Sequence, residues 1–170
     1  MTDLSSDDVA VIVYREDDAW EADVLPPALT QDLAGLIHAL RQQPSIGGTL
    51  GLAAIGDDFF IALRLIGGQV SVFLSDVTAA LDWPIARHVL DYLEIDLPED
   101  EDLDQVLPAG DLSIFADLGM DEMDLGMLAG NLDLFPDEAL AMIARKLGFG
   151  HALERALAAA LGHLRGFFPG

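Results

Sequence analysis

The carboxylates are the residues most able to do chemistry in this chain. Asp100, Asp102 and Asp104 stand at positions 1, 3 and 5 of a stretch whose position 12 is Asp111. That is the spacing of a calcium-binding loop, which wraps a hard cation in oxygen ligands. The pattern fails at position 6, where Gln105 replaces the glycine that makes the sharp turn. Position 12 carries the shorter Asp, and Pro108 stiffens the loop. No metal site is therefore expected, and a solvated acidic segment is the better reading. The glycine-rich run Ser45-Ile46-Gly47-Gly48-Thr49-Leu50-Gly51 lacks a following lysine and opens no helix, so it cannot cradle phosphate. His38, His88, His151 and His163 show no ligand spacing. Ser71 and Ser75 lack the glycine elbow of a hydrolase nucleophile. With no cysteine, thiol catalysis, disulfides and cysteine-ligated zinc or iron–sulfur centres are excluded. No catalytic residue and no cofactor are expected.

Charge narrows the class further. The chain of 170 residues has a net charge of -22, with Lys146 its single lysine. Nucleic-acid affinity comes from cationic side chains that displace counterions, so direct DNA or RNA binding is not expected. Anionic membranes are disfavoured by the same repulsion. Two helices near residues 131–136 superficially resemble a DNA-reading pair, but the second opens with Asp137-Glu138. Partners should be basic proteins. The first residues, Met1-Thr2-Asp3-Leu4, are the reverse of a basic leader, no apolar run spans a bilayer, and a cytoplasmic location is expected.

The elements that would position these groups follow from periodicity. Residues 9–14 form a β-branched run, and Trp20, Ala22 and Val24 alternate with Glu21 and Asp23. Joined by Glu16-Asp17-Asp18, they predict a hairpin. Pro26-Pro27 ends it. Thr30 is expected to cap a helix bearing Leu33, Leu36, Ile37 and Leu40 on one face. Strands over 50–55, 59–66 and 70–74 follow, the last two joined by Gly67-Gly68. A helix then begins at Pro84. The order ββαβββα predicts an α+β fold, a five-stranded antiparallel sheet with helices on one face.

Residues 1–93 would form this sheet domain and 94–110 an acidic linker. The remainder, 111–170, would be a small helical segment with helices near 121–129, after Pro136 and through 153–164. Residues 94–138 hold 15 acids and no Lys or Arg, whereas 139–170 carry a net charge of +3. Met120, Met123 and Met127 have helical spacing and read as gap-filling core, the alternative being an adaptable contact surface. The end, Gly166-Phe167-Phe168-Pro169-Gly170, is either folded onto the core or an exposed anchor.

Three stretches carry a family resemblance. They are Phe73-Leu74-Ser75-Asp76-Val77-Thr78-Ala79-Ala80-Leu81-Asp82-Trp83-Pro84, Pro108-Ala109-Gly110-Asp111-Leu112, and Leu134-Phe135-Pro136-Asp137-Glu138 leading to Leu147-Gly148-Phe149-Gly150. With the N-terminal hairpin and the acidic centre, this resembles the actinobacterial family of tRNA adenosine deaminase-associated proteins, over residues 8–152. The resemblance implies a gene neighbouring that of a tRNA adenosine deaminase and brings no catalytic residues with it. The deaminase's own zinc signature, H-x-E with P-C-x-x-C, is absent here. The reading is thus a non-enzymatic acidic accessory or adapter protein, its candidate partner a tRNA adenosine deaminase. Glu99, Asp100, Glu101, Asp102 and Asp104 are the expected contact residues. Two alternatives stand beside it: a nucleic-acid mimic that regulates a basic RNA-binding enzyme, and an enzyme using carboxylates with a divalent metal.

Overall fold

The computed structural model describes residues 8–43, 48–56, 58–96, 107–131 and 133–165. Among these residues six strands form one antiparallel sheet: β1 (Val9–Glu16), β2 (Ala19–Val24), β3 (Thr49–Ile55), β4 (Phe59–Ile66), β5 (Gln69–Leu74) and β6 (Ala109–Gly110). Their spatial order is β2-β1-β3-β4-β5-β6. The α-helices are α1 (Leu33–Gln42), α2 (Pro84–Leu93), α3 (Glu122–Ala129), α4 (Pro136–Leu147) and α5 (Gly150–Arg165). The α+β class is as expected.

Turn chemistry sets the register. Asp17 and Asp18 both adopt left-handed backbone, with φ of 53° and 68°, so a two-residue turn pairs Glu16 with Ala19. Gly67 and Gly68 do the same between Ile66 and Gln69. Both turns match the twist of the strands they join.

The two helices of the ββαβββα unit, α1 and α2, share one face of the sheet as expected, and the helices of the C-terminal segment cover the other. Val11, Val13, Leu50, Leu52, Phe60 and Phe73 pack with Leu125 of α3, Leu140 and Ile143 of α4, Phe149 in the connection that follows, and Leu153 of α5. The opposite face, with Ala53, Ile55, Phe59, Ile61, Leu63 and Leu74, packs on Leu33, Leu36 and Leu40 of α1 and Ile85, Val89 and Leu90 of α2. The cause is visible in β3, which is buried at every position. Successive side chains point to opposite faces, so a strand apolar throughout needs cover on both sides. Residues from 111 onward supply one of those covers. A tryptophan marks each face: Trp20 lies 5.4 Å from Phe149, and Trp83 lies 6.0 Å from Phe59.

Two expectations change. The sheet has a sixth strand, because Ala109 and Gly110, placed by the sequence in the linker, pair with Leu74 and Phe73. Gly110 has φ +100°, and a Cβ there would lie 2.1 Å from the Val72 carbonyl oxygen. The close approach therefore needs glycine. Thr30 does not cap α1. Pro26-Pro27 launches a 3₁₀ turn over Pro27–Gln31 that takes in Thr30, and Asp32 is the residue preceding the helix. Proline's fixed φ favours such a tight turn directly after it.

Candidate functional site

Glu99, Asp100, Glu101, Asp102 and Asp104, the expected contact residues, lie outside the described residues, as does the tail 166–170. Asp111, the remaining member of the calcium-like spacing, is engaged locally. Its Oδ1 accepts from the Ser113 amide at 2.9 Å and from the Ser113 hydroxyl at 2.6 Å. Among the described residues no three His, Asp or Glu side chains converge in a way that could hold a metal ion. His38, His88 and His151 are exposed on α1, α2 and α5, apart from one another in sequence and on different helices.

The Ser75-Asp76-Val77-Thr78 stretch, prominent in the sequence, is a fold device. The buried Ser75 hydroxyl accepts the Phe60 amide at 2.9 Å, and the Ser75 amide donates to the Phe60 carbonyl at 3.0 Å. These bonds continue the β4–β5 pairing past the end of the strand. Asp76 then caps a 3₁₀ turn over Val77–Leu81, accepting from the Thr78 amide at 3.0 Å and the Thr78 hydroxyl at 2.8 Å. The Leu107 amide also donates to Asp76, at 3.4 Å, and Val77 donates to the Leu107 carbonyl at 2.7 Å. The stretch thus ties residue 107 to the sheet edge and aims β6 at β5. A small cavity of about 110 Å³ beside it is lined by Ser75, Asp76, Asp58, Asn131 and apolar neighbours, with no histidine in its lining to serve as base.

A buried cation anchors the next segment. Arg64, near the end of β4, faces the side covered by α3–α5. Its guanidinium donates to the Ile114 carbonyl at 3.0 Å and grips the Asp117 carboxylate through both oxygens, Nη2 to Oδ2 at 2.9 Å. The hydrogen bonds from Arg64 hold the Asp117 carboxyl below its usual range. This fork is bidentate, the geometry at which arginine exceeds lysine. It pins residues 114–117 to the sheet immediately before α3.

Beyond that anchor, α3 and α4 enclose an apolar groove of about 310 Å³. Met120, Met127, Leu128, Leu134 and Met142 line it, with Asp124, Asn131 and Lys146 at its polar edge. Lys146 Nζ lies 3.8 Å from Asp124 Oδ2. Met120 is in the core as expected, but Met123 and Met127 are 73 % and 68 % exposed, and Met142 and Phe135 are exposed too. Leu125 and Leu128 occupy the inner face of α3. Met123, two residues before Leu125, is rotated by about 200° from it and so points outward. Sequence reasoning did not single out Met142 or Phe135. The usable signal was that Glu138 and Met142 share a helix face one turn apart, so that face of α4 is outward. A second, shallower groove of about 550 Å³ runs between α1 and α2, lined by Leu33, Ala34, Ile37 and Tyr92 with Asp32, His88 and Asp91.

Fold and surface together define an acidic α+β protein built on one antiparallel sheet, helices on both faces, with exposed methionines beside carboxylates. The chain belongs to the family of Rv3753c-like tRNA adenosine deaminase-associated proteins, which it matches over residues 8–150. It is 37 % identical to Protein Rv3753c of Mycobacterium tuberculosis over 150 residues, covering 87 % of this chain and 86 % of that protein. No solved structure matches it. Among the described residues no helix is long and apolar enough to cross a membrane.

Proposed function

We propose that this chain is a non-enzymatic accessory protein of the cytoplasm that docks on a tRNA adenosine deaminase through acidic surface. The observation that carries the reading is the family membership joined to residues 94–138, which hold 15 acids and no Lys or Arg. An enzyme that grips tRNA needs a basic surface, because its substrate is a polyanion. An acidic protein complements such a surface, which speeds encounter and makes binding sensitive to salt. Glu99, Asp100, Glu101, Asp102 and Asp104 are the contact residues of this proposal. The test is a pull-down of the tagged full chain from its native cells at low and high salt, read by mass spectrometry. Recovery of the deaminase at low salt and its loss at high salt supports docking; its absence at both salts refutes it.

The same density of carboxylates also favours a second reading, in which the chain occupies the deaminase's tRNA groove. A gel-shift competition separates the two. Displacement of tRNA marks a mimic, and a ternary complex marks an adapter.

A further inference from the structure

The groove between α1 and α2, about 550 Å³, lies on the sheet face opposite α3–α5. Its apolar lining is Leu33, Ala34 and Ile37 from α1 and the Tyr92 ring from α2, with Ala34 and Tyr92 exposed. Its charged lining has one sign. Asp32, just before α1, and Asp91, in the last turn of α2, are both exposed, and no Lys or Arg is among the lining residues. Asp32 makes no capping bond to α1, and neither carboxylate is ion-paired among the described residues. The arginines of the two helices are engaged elsewhere. Arg41 donates to the Gly68 carbonyl at 3.4 Å and Arg87 to the Ala80 carbonyl at 3.3 Å. His88 completes the lining.

We infer that the α1–α2 groove seats a short segment of a basic partner protein, a large apolar side chain with Arg or Lys within a helical turn of it. Helices commonly present such pairs, apolar residues at i and i+4 with cations on the flank. The apolar side chain covers Ala34, Ile37 and Tyr92, and the cation pairs with Asp32 or Asp91, bidentately if it is arginine. Charge selects this occupant. Residues 97–106 of the chain hold five acids and no Lys or Arg, so they would set carboxylate against carboxylate. Residues 166–170 bring no cation, and a second copy brings a net charge of -22. Nucleic acid and anionic lipid are repelled in the same way. A small-molecule pocket encloses most of its ligand, whereas Asp32, His88, Asp91 and Tyr92 are all exposed here. The shallow shape suits a side chain that arrives on a larger surface. The inference deepens the accessory reading and rests on it for the presence of a basic protein partner, but Asp32 and Asp91 stand outside the 99–104 run.

The experiment uses the full chain and a labelled synthetic peptide of about four helical turns, a Leu and Phe stripe flanked by Arg. Fluorescence anisotropy follows its binding. One control peptide carries Glu for Arg, and another has the basic composition in scrambled order. Saturable binding at least about tenfold tighter than either control is expected. Ala34→Gln puts a longer, helix-compatible and uncharged side chain into the groove and should weaken binding about tenfold or more. Asp32→Asn combined with Asp91→Asn should weaken it about three- to tenfold and flatten its salt dependence. Met123→Ala, on the sheet face covered by α3–α5, should leave it unchanged. These positions are exposed and Asn also suits the residue before a helix, so thermal midpoints should stay near that of the parent chain. No binding, equal binding of the scrambled peptide, or an affinity unchanged by Ala34→Gln or by the two Asn substitutions overturns the inference. Measuring the deaminase against the same variants keeps the two ideas apart. Deaminase binding that ignores Ala34→Gln sinks the groove and spares the docking proposal, whereas peptide binding that obeys the variants without deaminase binding does the reverse.

Discussion

Replacing Asp117 with Asn removes the charge that faces the buried Arg64 guanidinium while keeping nearly the same shape. Arginine cannot escape by losing its proton, so the cation must stay charged in the interior. The size of the effect follows from how unevenly the pair is buried: the Arg64 side chain is 5 % exposed and that of Asp117 66 %. An exposed pair contributes about 0–1 kcal/mol, and stripping one partner from a fully buried pair costs about 3–5 kcal/mol. Water reaching the Asp117 side screens part of the loss, and the Asn oxygen retains one hydrogen bond. The expected cost is about 2 kcal/mol, which lowers the melting temperature of a chain this size by about 4–8 °C.

Acid supplies a second, independent signature. The folded pKa of Asp117 lies below its ordinary value of 3.8. Its contribution is therefore fully present above that value and is lost as pH falls through the lower, folded pKa. Urea unfolding at pH 7 and pH 5 should show the same gap between parent and variant, and the gap should shrink once pH falls below that ordinary value. Combining Asp117→Asn with Arg64→Met should cost less than the sum of the two single changes. A variant that melts with the parent at neutral pH, or a gap that persists undiminished in acid, would refute this reasoning.

Gly110→Ala should strip β6 from the sheet edge, since the new methyl would meet the Val72 carbonyl at 2.1 Å. A loss of at least about 1–3 kcal/mol is expected, with faster hydrogen exchange at the amide of Asp111, which bonds Val72 at 3.0 Å. The Tyr14 hydroxyl donates to Asp23 at 2.8 Å, and that bond raises its pKa to about 12. Its contribution is complete below pH 10 and is lost as pH rises toward 12, so Tyr14→Phe should flatten this part of the alkaline stability profile. Phe149→Ala, deleting a fully buried ring against Trp20, should cost about 3–5 kcal/mol. Because both faces share one sheet, Trp20 fluorescence in a Trp83→Phe background and Trp83 fluorescence in a Trp20→Phe background should report the same midpoint. Two separated transitions would count against a single cooperative unit.

Local chemistry was readable where it is local. Asp17-Asp18 and Gly67-Gly68 announced their turns, and Pro136 announced the start of α4, because each acts through backbone dihedrals within a few residues. The need for cover on the second face was also written in β3, whose residues 50–55 contain no polar alternation, but nothing local in residues 111–170 assigns that cover to the C-terminal helices. A strand as short as β6 has no periodicity to detect, and Pro108 beside acidic residues argued for a linker. The spacing of Met120, Met123 and Met127 fits either face of α3. With only eight residues in that helix, the choice depends on what Leu125 and Leu128 pack against. The Arg64–Asp117 fork joins residues 53 apart, and no local pattern marks such a pair. Of the expected contact residues, all five fall outside the described structure, so their role rests on charge alone.

The most direct measurement is a titration of the purified full chain with the purified tRNA adenosine deaminase of the same organism by calorimetry, at two ionic strengths. It is repeated with Glu99→Gln, Asp100→Asn, Glu101→Gln, Asp102→Asn and Asp104→Asn combined. Docking through acidic surface predicts a saturable complex that weakens as salt rises, and a variant that binds more weakly with a shallower salt dependence. No heat at either ionic strength would contradict docking itself. A complex indifferent to both salt and the five substitutions would contradict the acidic surface as its basis.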